Sequence, residues 1–494
     1  MTEKLQPWIP SVDDPWDRTA AAHLLRRTGF GAARDRIDAI VAQSPESYVN
    51  EQLTAKPMPN PPGPWVDTQP AASLGNAEIQ QYAIWLRSLQ EWWLAQMLDD
   101  SIGLREKMTL FWHNHFPSEF YVVYVAQYFY QQNQLQRSSA FGNIADLLRA
   151  MTTDPGMLVY LDLGLSVAGN PNENYARELL ELFMLGEGFY DDGTPHYTES
   201  DIIELARALT GWTVTGLTST FRSTRYDSGV KTLFGESARF GLGEIGEKDV
   251  IDHILAQVDK DHGVSRAAIF LCSKLYAWFV ATQPDWEVIE GMAETLVAND
   301  WEIAPVLRQL LLSRHFFSQD VRGAMIKSPA DFVVGAMKEL ELTTDLTYLG
   351  VNAARTETHD PVTAMSQLAM AIFAPPNVKG WPGGRTWISS VTAPQRIRYV
   401  ETWISPFSGA REYGFDPEAY LDGLEGRDDV HLVLDAMLAH LLPIVVDETV
   451  RAQILEILLG GAPDYEWDPD HPSTTQRLRS TLIEITRLAE YQLM

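Results

Sequence analysis

Apolar residues recur at helical spacing in almost every hydrophobic stretch of this chain, and only the window near 212–235 departs from that period. A period close to 3.6 turns one side of each segment toward a neighbour and leaves the other side polar, which is the pattern of packed amphipathic helices. The fold class this predicts is mainly α: a large multi-helix body with one small β-hairpin insertion near 212–235. The insertion, TVTGLTSTFRSTRYDSGVKTLFG, is rich in Thr, Phe and Val, with Asp227-Ser228-Gly229 as the expected turn. Residues 119–137 also hold strand formers, but their length and polar neighbours favour helix. At 494 residues the chain exceeds one small core. It divides into an extended lead-in over 1–18, a main helical unit over 19–406 and a C-terminal helical segment over 407–494. The first helix of the main unit is expected to start on Thr19 as N-cap. The proline-rich stretch 55–75 is a linker or a strap across the helices, and 343–358 is a Thr-rich loop.

Charge excludes whole classes of partner. The 38 Lys and Arg stand against 66 Asp and Glu, a net charge of −28, which repels nucleic acid and anionic lipid surfaces. No run reaches the roughly 18–20 apolar residues needed to span a bilayer, so no membrane insertion is expected. The opening MTEKLQPWIPSVDDPW lacks a basic region followed by an apolar one. A cytoplasmic location follows, the alternative being export together with a signal-bearing partner. The lone Cys272 lies in the apolar run 267–280, where a buried thiol is expected.

The stretch Asn172 to Trp212 gathers the densest set of charges in register. Glu173, Arg177 and Glu181 follow at i, i+4 and i+8 and form one stripe, with Asn172, Asn174 and Glu178 beside it. Gly186 falls where a left-handed C-cap belongs, and Thr198 to Asp201 opens a second helix that carries Arg207. Two readings compete. Solvated ion pairs would make Arg177→Ala cost less than about 1 kcal/mol. A buried cluster lining a pocket would raise the cost to roughly 3–5 kcal/mol, and this is the hypothesis carried forward.

In LREKMTLFWHNHF (104–116), His115 shares a stripe with Leu104, Met108 and Phe111, while His113 points about 200° away. As helix residues the two cannot ligate one metal. His115 reads either as a core histidine bonded to a carbonyl or as a site residue. The loop PPNVKGWPGGRTW (375–387), around Trp381 and Arg385, is a structural brace or one wall of a site. Standard catalytic signatures are absent, as are nucleotide and haem motifs. Glu178 and Glu181 form one ExxE pair, but no histidine follows a glutamate by three as a diiron bundle requires. A metal remains a matter of residue types, among them Asp162, Glu173, Glu178, Asp201 and Glu204 with His113, His115 and His196; spacing does not support it.

Seven blocks in order carry a resemblance: HLLRRTGFG (23–31), LREKMTLFWHNHF (104–116), GNIADLLRAMTTDPGMLVYLD (142–162), NENYARELLELFMLG (172–186), YTESDIIELARALTGW (197–212), KSPADFVV (327–334) and PPNVKGWPGG (375–384). Over roughly residues 18–400 the chain resembles the bacterial domain-of-unknown-function 1800 family, its opening being similar to the planctomycete-type branch. The resemblance brings no settled activity. It implies a partner of the domain-of-unknown-function 1501 family, similar to phosphatases and sulfatases. One departure is visible: where relatives usually read His-Asp-x-Gly-x-Lys, this chain has Tyr226 to Lys231.

Two functions follow as expectations. The first is a hydrolase-type enzyme acting on an anionic or carbohydrate-like substrate in a polar pocket. His113, His115 and Glu178 would be catalytic, and Asn172, Glu173, Asn174, Arg177, Glu181, Arg207, Trp381 and Arg385 would bind substrate. The second is a non-catalytic helical protein that engages the neighbouring phosphatase-like partner. Cofactors are unknown on either reading.

Overall fold

The computed structural model describes residues 2–344, 360–405 and 413–494; the loop expected at 343–358 falls outside them from 345 on. Among the described residues there are 23 α-helices and eight short strands. The helices that frame the interior are α1 (Arg18–Gly29), α2 (Asn76–Leu98), α3 (Gly103–His115), α4 (Ala126–Ser138), α5 (Asn174–Glu178), α6 (Glu199–Ala208), α7 (Arg266–Phe279), α8 (Pro329–Glu339), α9 (Thr392–Ile404) and α10 (Thr474–Arg487). Their ends follow capping rules. Asp17, not the expected Thr19, caps α1 by accepting from the Ala20 amide at 2.9 Å. Ser328 and Asp331 form a capping box on α8, with Pro329 at its first turn.

The organising element is α3, buried on every side. Leu104, Met108, Phe111 and Trp112 enter one apolar core with residues of α1 and α7. Leu110 enters a second core with Leu89 and Trp93 of α2, Phe332 of α8 and Leu478 and Leu482 of α10. Its charged residues are buried too, each with a partner. Both arms of Arg137 on α4 reach Glu106, at 2.8 and 2.7 Å, and the Trp93 indole donates to the same carboxylate at 3.0 Å. Lys107 pairs with Asp331, and Arg105 donates to the carbonyls of Lys56 and Pro57. Those carbonyls belong to the proline-rich stretch, whose Trp65 stacks on Trp85 of α2 at 5.4 Å.

The β window differs from its expected form. Two hairpins occupy it, β1 (Trp212–Thr215) with β2 (Thr218–Phe221) and β3 (Lys231–Leu233) with β4 (Glu236–Ala238). Asp227-Ser228-Gly229 joins them instead of turning one hairpin. The Asp227 side chain accepts from the Gly229 amide at 2.9 Å, a local bend that does not select strand partners. The tighter two-residue loops, such as Phe234-Gly235 with φ of 47° and 80°, set the pairing. Likewise 119–137 is helical but broken at Tyr124, whose φ is 61°, between Phe120–Val123 and α4. Among the described residues no helix is long and apolar enough to cross a membrane.

Candidate functional site

Where α3, α7, the start of α8 and the loop 375–387 meet, they enclose a cavity of about 300 Å³. Trp278, Trp381 and Trp387 give it flat apolar walls, and Lys107, Lys274 and His115 bring nitrogen to it. Lys274 decides its chemistry. This lysine sits in the apolar middle of α7, and its Nζ donates to the Leu182 carbonyl at 2.7 Å and lies 3.2 Å from His115 Nδ1. His115 Nε2 lies 3.0 Å from the Phe183 carbonyl, which can only accept. The proton therefore sits on Nε2, and Nδ1 presents a lone pair to the lysine. Burial pushes the Lys274 amine down to about 7, so half of it is neutral near physiological pH. Burial, and then the charge of Lys274, hold His115 well below its ordinary range, with the Phe183 bond opposing.

The two accepting carbonyls come from the stretch that dominates the sequence. After α5 the helix widens into a π segment over Leu179–Met184, and Gly186 then turns with φ 78°. The amides of Leu185 and Gly186 both return to the Leu180 carbonyl. The carbonyls of Leu182, Phe183 and Leu185 accept instead from Lys274, His115 and Arg266. This segment therefore positions the cavity through its backbone end. Its charged stripe lies elsewhere.

The loop 375–387 is held by Asn114. Asn114 Oδ1 accepts from the Trp381 amide at 2.7 Å. Gly380, at φ 75°, allows this approach, because a Cβ there would lie 2.3 Å from Asn114 Oδ1. His113 does not face the cavity. It is buried between Trp93, Phe373 and Trp381, and its Nε2 accepts from the Phe373 amide at 3.1 Å. Phe373 has φ 66°, a costly conformation for a bulky residue, and its carbonyl is bound by the Phe120 amide at 2.9 Å. With its pKa lowered to about 3 by burial, His113 stays neutral and pins this backbone.

The remaining expected site residues are spread over several places outside the cavity. Arg177 meets Glu199 at 2.9 and 2.8 Å, Glu173 at 3.4 Å and Glu181 at 3.6 Å. The buried cluster is not what forms: Arg177 is 33 % exposed and Glu199 72 %, because α6 covers only one flank of the stripe. Arg177→Ala is therefore expected to lower the unfolding free energy measured in urea by less than about 1 kcal/mol, and a loss of about 3 kcal/mol would restore the buried reading. Asn172 and Asn174 make local turn contacts, the Asn174 amide donating to Asn172 Oδ1 at 2.9 Å. Glu178, half-buried, lies nearer the cavity mouth; burial and Glu181 raise its pKa, opposed by Lys379 and Arg177. Lys379, on the cavity rim, ties the 375–387 loop to Glu187 at 3.0 Å. Arg207 is bound to Asp227 and Glu204 at 2.8 and 2.7 Å, and Arg385 is exposed. Among the described residues no three His, Cys, Asp or Glu side chains gather as a metal-holding group.

The family described as Protein of unknown function (DUF1800) matches residues 23–492. The chain belongs to the DUF1800 family. The match reaches past the 400 or so residues of recognisable blocks and takes in α10. No curated protein and no solved structure matches the chain. In this DUF1800 chain Tyr226 donates to the Phe240 carbonyl at 2.8 Å and accepts from Lys231 at 3.3 Å. Asp227 and Lys231 complete a knot that holds the hairpins on α6, the Lys231 amine also reaching the Phe240 carbonyl at 3.1 Å. Sequence reasoning missed Lys274, Lys107 and Trp387. One signal was available for the first: a single ammonium in the middle of the apolar run RAAIFLCSKLYAWF.

Proposed function

We propose that this DUF1800 protein is an enzyme whose active site is the cavity beside Lys274, and that it takes a small, anionic, ring-bearing substrate. One observation carries the reading: a lysine amine held at a cavity wall by a carbonyl and a neutral histidine, where burial pushes its pKa down to about 7. Substrate class follows from the walls. Three tryptophans line the cavity, suited to a flat ring, and Lys274 is the lining lysine without a carboxylate partner, since Lys107 pairs with Asp331 and Lys379 with Glu187. The protonated form of the Lys274 amine, with no carboxylate of the protein beside it, favours an anionic ligand. Hydrolysis, the chemistry expected from the sequence, would run here through a water that gives its proton to Lys274. Neither His113 nor the Arg177 stripe is needed for it.

Benzoate and glucuronate test the site as simple ring-bearing anions. At least one of them, at ten times its Kd, is expected to raise Tm by about 1–3 °C through mass action, and Lys274→Met should remove the response. No response from the wild type, or an undiminished one in Lys274→Met, contradicts the proposal. The exposure of Arg177 and Glu199 favours a second role for the other face, docking of the domain-of-unknown-function 1501 protein. Purification of the two proteins expressed together tests it, and the absence of a complex would remove it.

A further inference from the structure

We infer that Lys274 acts as a nucleophile and that the substrates of the cavity are carbonyl compounds, aldehydes or ketones carrying a carboxylate, which it binds as an imine. The inference rests on the proposed active site and specifies its chemistry. Three arrangements lead to it.

The first is the geometry at nitrogen. A neutral Lys274 amine has two hydrogens, and two acceptors are present for them, the Leu182 carbonyl at 2.7 Å and His115 Nδ1 at 3.2 Å. With both hydrogens directed to the protein, the lone pair takes the remaining tetrahedral direction, and Lys274 lines the cavity. The second is that no other amine in the described lining is free. The Ser328 hydroxyl donates to Asp331 Oδ2 at 2.7 Å within the α8 cap, Lys107 is paired with Asp331, and Lys379 is paired with Glu187 at the rim. The third is the proton route: His115, neutral and fixed by Phe183, presents the Nδ1 lone pair to the reacting nitrogen and can relay a proton from it.

The step balances without an oxidant. The Nζ lone pair forms a bond to the carbonyl carbon, and the carbonyl π pair moves onto oxygen. Nitrogen loses a proton to His115 Nδ1, which returns it to that oxygen and gives a carbinolamine. Departure of the hydroxyl with one further proton, as water, leaves the C=N bond. Burial of the amine supports this role, since a surface lysine titrating near 10.4 is neutral in only about one molecule in 2,500 at pH 7.

The test uses the full chain with 4-carboxybenzaldehyde and sodium cyanoborohydride, whose hydride converts an imine to a stable secondary amine, followed by peptide mass mapping. Lys274 is expected to be alkylated at pH 7 at least ~10-fold faster than exposed lysines away from the cavity, such as Lys248 and Lys260. Lys274→Arg should show only the slow background, while its unfolding midpoint reports whether it folds. Alkylation spread over surface lysines with Lys274 spared overturns the inference. A parallel arm with 4-(hydroxymethyl)benzoate, which cannot form an imine, separates the two claims. If that alcohol raises Tm in wild type but not in Lys274→Met, and the aldehyde leaves Lys274 unmodified, the imine chemistry fails and the active site stands. If neither compound raises Tm and Lys274 stays unmodified, both fail.

Discussion

Glu106→Ala is expected to destabilise the protein by about 3–5 kcal/mol, the largest loss from any single charged side chain described above. Glu106 and Arg137 are both fully enclosed between α3 and α4, joined by two hydrogen bonds, and the Trp93 indole donates to the same carboxylate. Removing the carboxylate leaves a guanidinium and an indole N–H without that acceptor in a region water does not reach. The contrast with Arg177 is the instructive part. Both arginines meet carboxylates at under 3 Å, yet one pair has no exposure and the other lies at the surface. Urea unfolding of Glu106→Ala beside Arg177→Ala measures this difference. Equal midpoints would show that burial is not what separates them.

Acidification is expected to unfold the protein steeply between about pH 6 and 4.5, through four buried histidines. His23, His115 and His440 bond to the carbonyls of Phe316, Phe183 and Ala32, and His113 accepts from the Phe373 amide. Burial lowers the pKa of all four, His113 to about 3 and His440 to about 4. The sign follows from proton counts. Below the unfolded value near 6.5, the unfolded chain takes up protons that the native chain refuses, so stability present above pH 6.5 is lost as pH falls toward the native values. Asp154 acts the other way: buried and pushed up to about 7, it holds a proton when folded that it releases on unfolding until pH falls to about 4. Four histidines against one aspartate leave a net uptake near three protons at pH 5.5, a slope of roughly 4 kcal/mol per pH unit. Unfolding free energies that stay flat from pH 7 to 5 would contradict this.

Much of the fold was legible because helix ends and apolar stripes are local properties. Gly186 as a left-handed terminus, the capping box at Thr198 and Asp201, and the helical class of 119–137 all follow from short windows. His115 bonded to a carbonyl was one of the two readings its stripe allowed, and the structure places that carbonyl in Phe183. The site was less legible, since it depends on what covers each face. A 3.6-residue period shows one apolar side of α3 but cannot show that Arg105, Glu106 and Lys107 are covered as well. A stripe of Glu173, Arg177 and Glu181 looks the same in a pocket or in water. The π segment over Leu179–Met184, which frees the carbonyls for Lys274 and His115, leaves no pattern in LLELFM that distinguishes it from ordinary helix.

The claim that the Lys274 cavity is the functional site is tested most directly by titrating that one amine. Competitive acylation of the intact protein with acetic anhydride across pH 5 to 10, read at the peptide that contains Lys274, reports the neutral fraction of the amine. Adding benzoate reports whether the cavity accepts an anion against it. The account predicts a midpoint near 7 and slower acylation with benzoate bound. A midpoint near 10, at a rate that benzoate leaves unchanged, would place Lys274 among ordinary surface lysines and contradict the account.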